Sequence, residues 1–544
     1  MGYNVLKMLG GEVRMDYYVK ASRVPSSPTL PGGKKPKASF DIANLFGDGP
    51  APVEMESASS ENIVDLNEKL RKTYFWVTNS AIITPFYDIE YNDSSPREFR
   101  FGDTRTRVIL PTQQSFSSFV LLPLLTLVTK RRCLFIGGPG RGKTASAILM
   151  ALIAGYPLKE VKRAIQHGQP QMTVSDLLGN PLPSDLMKAE SMDDIRISWR
   201  KWLGMRVKII DEYNRIPTRT QSALLTVMSD NYAEIMDQIF ECPEAAWYLT
   251  ANDDAGGGTY QVIEALKDRI DVVVRALHFN TRFIGELLAR IEAGYQPEKM
   301  VPPEIVFSEE ELNKMHATIL KVHLPENLLR RLEYFASQFE LLESAADQLE
   351  YKTKDNLKVS GIEMQNWDNQ ETGKDKLKDL GYQTFNGLSV RAIMTCLVYF
   401  KAMAYFRGDT EVTFEDVRQM LPFVVHDKLV QNPDAPFFEQ PGNSVFRVDK
   451  ISWIRQLFDE SCKEYDKLGL DKKDPVKEIG DELDKGLEGV TEQQAKAQIS
   501  RIEGLLEDYS KTRKLYGPLL DDILKLKYLH QRYSNYLRWL EWKN

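Results

Sequence analysis

The feature that most constrains this chain is the stretch Gly137-Gly-Pro-Gly-Arg-Gly-Lys143-Thr144, which meets the pattern G-x-x-x-x-G-K-[ST]. It follows a short apolar run, Cys133 to Ile136, and precedes a helical run, Ala145 to Ala154. Glycines let successive backbone N–H groups curl around phosphates, and a helix N-terminus adds a favourable dipole. In such a loop the lysine, Lys143, reaches the β- and γ-phosphates and the Thr144 hydroxyl is a ligand for Mg²⁺. The expected phosphate-cradling set is Gly137, Gly138, Pro139, Gly140, Arg141, Gly142, Lys143, Thr144 and Ala145. Further apolar runs, Val207 to Ile210, Trp247 to Thr250 and Val272 to Val274, alternate with longer periodic segments between Phe119 and about Phe279. Buried strands alternating with helices predict a parallel α/β sheet.

A loop of this kind needs an acidic partner, and the run Val207 to Ile210 ends in Asp211-Glu212. A carboxylate at the tip of a buried strand holds Mg²⁺, and its neighbour polarises an attacking water. Asp211 takes the first role and Glu212 the second, with ATP as the substrate. Asn252 ends the next apolar run; between the two other strands, its amide would orient the lytic water.

The string Asp211-Glu-Tyr-Asn-Arg-Ile-Pro-Thr-Arg-Thr-Gln-Ser-Ala-Leu-Leu-Thr-Val-Met228 resembles the Walker B region of the MoxR group of AAA+ ATPases, D-E-x-N-R before a similar helix. Glu264-Ala-Leu-Lys-Asp-Arg-Ile270 resembles that group's E-A-x-x-D-R-F. Leu388-Ser-Val-Arg391, the helix to Arg407-Gly408, and Val412-Thr-Phe-Glu-Asp-Val417 resemble its sensor 2 and lid helices. Thr173 to Gly179 fits the segment after the second strand, and Ile195 to Leu203 fits the inserted hairpin of this clade. The resemblance covers roughly residues 119 to 429. It implies an AAA+ P-loop NTPase fold, α/β with a parallel sheet, followed by an α-helical lid. It also implies that Asn252 is sensor 1, Arg269 a finger acting on a neighbouring subunit's nucleotide, and Arg391 sensor 2. The catalytic set is then Glu212, Asn252, Arg269 and Arg391, with Thr144 and Asp211 as metal ligands. Guanidinium groups suit this work because a transferring phosphoryl group spreads negative charge over its oxygens. A homo-hexameric ring, a protein client and partners with von Willebrand factor A domains are implied in the same way. Asn214 and Arg215 lie inside the matched string without an assigned job.

Around this centre the chain reads as five parts. Residues 1–60, dense in Pro, Gly and Ser from residue 21 onward, read as a flexible tail. Residues 61–118 read as a small β-rich extension. Within it a helix is predicted at Ile63 to Lys72 and strands at Tyr74 to Trp76, Ile82 to Ile83, Phe86 to Tyr91 and Arg107 to Leu110. The nucleotide-binding part spans 119–279 and the lid 280–430, with a polar insertion at about 345–386. Residues 431–544 end in a helical hairpin, in which Thr491-Glu-Gln-Gln494 forms a capping box and amphipathic runs flank Gly517-Pro518.

Charge and cysteine content narrow the function further. Lys and Arg total 70 against 77 Asp and Glu, a net charge of −7, which speaks against nucleic acid as the partner. The last helix interleaves Tyr528, His530, Arg532, Tyr533, Tyr536, Arg538, Trp539 and Trp542. That spacing fits packing or a protein-docking face; stacking on single-stranded nucleic acid is the other reading. The four cysteines lie far apart and the six histidines show no ligand spacing, so no zinc site is predicted and a reducing cytoplasm is. The most apolar stretch, Phe119 to Val128, contains Pro123 and is far short of the about 20 residues that a bilayer span needs. With no signal-peptide core at the start, a soluble cytoplasmic protein is expected. The leading reading is an ATP-hydrolysing motor that remodels a protein partner. The alternatives are a nucleic-acid-acting motor and a nucleotide-gated scaffold; the intact Asp211-Glu212 pair argues against the scaffold.

Overall fold

A computed structural model of the chain describes residues 58–84, 86–102, 107–187, 195–252, 264–362, 377–471, 474–512 and 514–543. The expected N-terminal tail lies, up to residue 57, outside the described residues, as does the middle of the polar insertion. Helix α1 (Ala58–Trp76) comes first. Leu66, Leu70, Tyr74 and Val77 recur at helical spacing and pack into the main core, and the Tyr74 hydroxyl accepts from Ser117 N at 2.7 Å. The helix therefore runs through Tyr74 to Trp76, against the strand that their β-propensity predicts. Ile82 and Ile83 lie outside any strand. Strands β1 (Ile89–Tyr91), β2 (Arg97–Arg100), β3 (Arg107–Leu110) and β4 (Gln114–Phe116) form two antiparallel pairs, β1 with β4 and β2 with β3.

Helix α2 (Ser118–Thr129) is apolar on every side and accordingly buried, with Pro123 inside it. Tyr248 donates its hydroxyl to the Pro123 carbonyl at 2.8 Å, tying this helix to the sheet. No helix among the described residues is long and apolar enough to cross a membrane.

The central part continues with β5 (Arg132–Ile136), α3 (Lys143–Ile153), α4 (Leu158–Ala164), β6 (Gln166–His167), α5 (Val174–Leu178), β7 (Gly179–Pro181), α6 (Pro183–Leu186), β8 (Ile197–Trp199) and β9 (Val207–Asp211). It ends with α7 (Thr218–Asp230), β10 (Tyr232–Ile235), β11 (Gln238–Glu241), β12 (Ala246–Ala251), α8 (Glu264–Arg269) and β13 (Val272–Arg275). Five of these strands form one parallel sheet in the order β13-β5-β12-β9-β6. Alternate residues feed two cores: Cys133, Phe135 and Tyr248 face α2, α3 and the lid, while Leu134, Trp247 and Leu249 face α7 and Trp202. A sheet covered on both faces explains why its strands read as continuous apolar runs. Ile197 to Trp199 pairs antiparallel with Gly179 to Pro181. A second hairpin, β10 with β11, turns at Met236-Asp237 with φ of 50° and 61°. Two non-glycine residues in that region carry no Asn-Gly signal, so the turn is not visible in the sequence.

The region read as the helical lid holds α9 (Ile284–Glu292), α10 (Glu309–Lys321), α11 (Glu326–Ser337), α12 (Lys354–Val359), α13 (Val390–Arg407) and α14 (Phe414–Val425), and α15 (Lys450–Leu468) follows it. Part of the polar insertion folds back: the buried Lys354 ammonium donates to the carbonyls of Gly381 and Thr384 at 2.6 and 2.8 Å. The C-terminal helices α16 (Pro475–Asp484), α17 (Glu492–Ser510) and α18 (Gly517–Lys543) share a small core of their own, with Ile479, Ile502, Leu526 and Tyr533 at its centre. Thr491 and Gln494 cap α17 reciprocally, as their spacing predicts. The aromatic run on α18 divides: Tyr533 is 3% exposed and packs inward, whereas Trp542 is 81% exposed.

Candidate active site

The C-terminal ends of β5, β12 and β9 lie side by side, and the site assembles there. The loop leaving β5 takes its shape from three glycines. Gly140 and Gly142 hold φ of 72° and 78°, and a Cβ on Gly137 would come within 2.6 Å of the Ala276 carbonyl. Arg141 reaches over the loop and donates to that same carbonyl at 2.9 Å. Lys143, the first residue of α3, is buried and turns its ammonium back into the loop. It donates to the carbonyls of Gly137 and Gly138 and, at 2.7 Å, to Asn252 Oδ1. Thr144 donates its hydroxyl to Asp211 Oδ1 at 2.7 Å.

Asp211 and Glu212 stand at the tip of β9, as their spacing predicts, and Asn252 stands just beyond β12 between the two. Its Nδ2 donates to Glu212 Oε1 at 2.9 Å, so one amide bridges the Lys143 ammonium and the Glu212 carboxylate. A hydroxyl and a carboxylate oxygen side by side are hard donors of the kind Mg²⁺ takes, so Thr144 and Asp211 fit that ion.

Several members of the site carry no sequence signal. Thr250 donates its hydroxyl to Asp211 Oδ1 at 2.7 Å and accepts from Glu212 N at 2.9 Å, locking the two acids together. Arg215, without a job from its motif, places Nε 3.0 Å from Glu212 Oε2. His167, an ordinary loop histidine on spacing alone, lies with Nδ1 3.2 Å from Asp211 Oδ2. Glu212 itself adopts a left-handed backbone (φ 54°, ψ 49°), with Gly168 packed against its carbonyl. Thr250, His167 and Gly168 meet their partners across neighbouring strands, far off in sequence, whereas Arg215 meets Glu212 three residues away in the turn after β9.

Two predicted residues direct their bonds elsewhere. Arg269, at the end of α8, bonds Ser229 Oγ through Nε and donates to the Ala265 carbonyl at 2.9 Å. Arg391, at the start of α13, pairs with Asp268, which also accepts from Ser389 Oγ at 3.0 Å. Lid and sheet meet again at the buried Asp271, whose carboxylate takes Thr395 Oγ1 at 2.6 Å and Arg132 N at 2.9 Å.

Comparison with known proteins follows this layout. Residues 132–272 match the ATPase family associated with various cellular activities (AAA), and residues 383–447 match the AAA lid domain. The chaperone MoxR1 of Mycobacterium tuberculosis is 24% identical over 318 residues, a span of 57% of this chain and 71% of that protein. A solved structure of a candidate ATPase from Cytophaga hutchinsonii is similar over 75% of this chain and 97% of its own, with 16% identity and a TM-score of 0.46.

Proposed function

Starting from a chain that is a MoxR-type AAA+ ATPase and hydrolyses ATP, we propose that its hydrolysis drives the remodelling of a protein client. The observation that carries the site assignment is one unbroken hydrogen-bonded series: Thr144, Asp211 and Thr250 on one side, and Glu212, Asn252 and Lys143 on the other. Residues Gly137 to Ala145 cradle the phosphates, and Lys143 exchanges its carbonyl partners for β- and γ-phosphate oxygens. Glu212 takes the proton of the attacking water, and Asn252 aligns that water. Mg²⁺ would be held by Thr144 and Asp211, where it neutralises phosphate charge.

Arg391 serves as sensor 2 once it leaves Asp268, and Arg269 acts on the nucleotide of the next subunit in a homo-hexameric ring. The client is a protein, in keeping with the chaperone name of its relative, and proteins with von Willebrand factor A domains are the class to test first. Four free, buried cysteines suit a reducing cytoplasm. The deciding experiment is Glu212→Gln: ATP affinity stays near wild type while kcat falls by about 10²–10⁴, the usual worth of a positioned base. An unchanged kcat places the base elsewhere.

A further inference from the structure

A cleft of about 810 Å³ opens along the β6 edge of the sheet, between that strand and the β7–β8 hairpin. Arg163, Arg200 and Lys201 bring three cations to it. Its one carboxylate, Asp176, is already committed: Oδ2 accepts from Thr173 N at 3.0 Å and Thr173 Oγ1 at 2.7 Å, which holds its pKa below the usual range. Arg163 and Lys201 have no ion pair among the described residues. Amides from Gln166, Gln169 and Asn180 line the rest and offer both donors and acceptors.

β6 is the terminal strand of the sheet, paired with β9 on one side only. A terminal strand offers its free backbone to an extended peptide, which a nucleic acid backbone does not match. The cleft's outer indole, Trp199, is already packed on Phe240 at 5.5 Å, so it does not form the run of open aromatic platforms that single-stranded nucleic acid requires. His167 also lines the cleft, and its Nδ1 is the atom that touches Asp211.

We propose that this cleft binds an extended acidic peptide segment of the client, and that His167 transmits its occupancy to Asp211 and hence to turnover. The proposal rests on the protein-client reading above and gives it an address. It assigns the cleft's cations to recognition and makes His167 a positioning residue.

The test uses the full chain without nucleotide and a fluorescein-labelled peptide of alternating Glu and Val, read by anisotropy. Binding is expected, with the Lys–Val counterpart and a single-stranded oligonucleotide of equal charge bound far more weakly. Arg200→Glu/Lys201→Glu should weaken the peptide about tenfold or more, as two reversed charges at a partly exposed cleft would. Its affinity for a fluorescent ATP analogue, unchanged, shows that the fold is intact. With ATP present, the peptide should change kcat in the wild type, and His167→Ala should keep peptide binding while losing that response. No peptide binding, equal binding of the Lys–Val peptide or the oligonucleotide, or an unaffected double variant overturns the cleft. A peptide response that survives His167→Ala overturns the relay. The two readings separate in Glu212→Gln: if it retains a protein partner with ATP and still does so with Arg200→Glu/Lys201→Glu, the client stands and the cleft falls. If no variant retains one, the client reading itself fails.

Discussion

Glu212 holds a backbone conformation that costs a non-glycine residue ~1–3 kcal/mol, and the surrounding structure must impose it. Gly168 is part of that imposition, because a Cβ there would meet the Glu212 carbonyl at 2.2 Å. Gly168→Ala must therefore shift the turn that presents Glu212, the proposed base. Nucleotide affinity should hold while kcat drops by about 10²-fold, the penalty for a misplacement of about 1 Å; steady-state ATPase and a fluorescent-nucleotide titration check it. Lys143→Ala, by contrast, should abolish nucleotide binding in that titration, since it removes the loop's buried cation. Lys208 tests a different property. Burial against Trp247 pushes its pKa down to about 8 from the ordinary 10.5, and its ammonium donates to the Met205 carbonyl at 2.6 Å. Between those two values the unfolded chain holds a proton that the native state has released, so this lysine makes stability rise with pH through that window. The full swing is about 3 kcal/mol. Urea denaturation at pH 7.5 and pH 10 should show wild type gaining on Lys208→Met by up to that amount. The phosphate loop and the two acids are legible in sequence because each motif is local. Thr250, His167 and Gly168 are not, because only the fold brings them to Asp211 and Glu212; Arg215 is local to Glu212, but its pairing shows only in the turn's geometry.

At the scale of elements, apolar runs bounded by polar residues mark four of the five central strands, and burial on both faces is the reason; the edge strand β6, Gln166–His167, has no apolar run to mark it. What escaped were elements whose pattern tertiary packing overrides: the last turn of α1, taken from strand to helix by core contacts, and the β10–β11 turn. Gly517-Pro518 reads as the break between two helices, yet it forms the first residues of α18, where proline is well tolerated. Gly517 is there for contact: a Cβ would lie 1.9 Å from the Ser337 carbonyl, where α11 ends. The α16–α18 unit has a separate core and meets α11 through ion pairs, Arg330 with Asp474 at the start of α16 and Lys477 with Glu326 among them. Gly517→Ala should loosen that unit alone. Hydrogen exchange should speed up in residues 475–543 and stay unchanged in 119–279; a uniform change would mean that the unit is not a separate cooperative element.

For the whole molecule, the proposed ring makes a claim that a monomer cannot meet. Arg269→Ala and Glu212→Gln should each be nearly inactive, the first because an arginine finger is worth ~10³–10⁵ in rate. Mixed before assembly, they should recover part of the ATPase activity, since an intact Glu212 then meets an intact Arg269 next door. Rings shown by mass to be mixed, yet inactive, would leave Arg269 as the structural partner of Ser229.

Asp268 stands beside Arg269 on α8 and holds Arg391 of the lid. One carboxylate thus separates the arginine that would read a subunit's own phosphate from the arginine that would serve its neighbour's. Turning to a phosphate, Arg391 would give up Asp268 while Ser389 and Lys428 still hold α8, so in the proposed ring a subunit's loading would reach its neighbour through the loss of this one bond. The signal is quiet. With both partners more than a third exposed, the bond is worth ~0–1 kcal/mol, which biases the neighbour by about fivefold at most. In the proposed ring, order would then be a preference rather than a lockstep, and a subunit that misses its turn would not stall the rest.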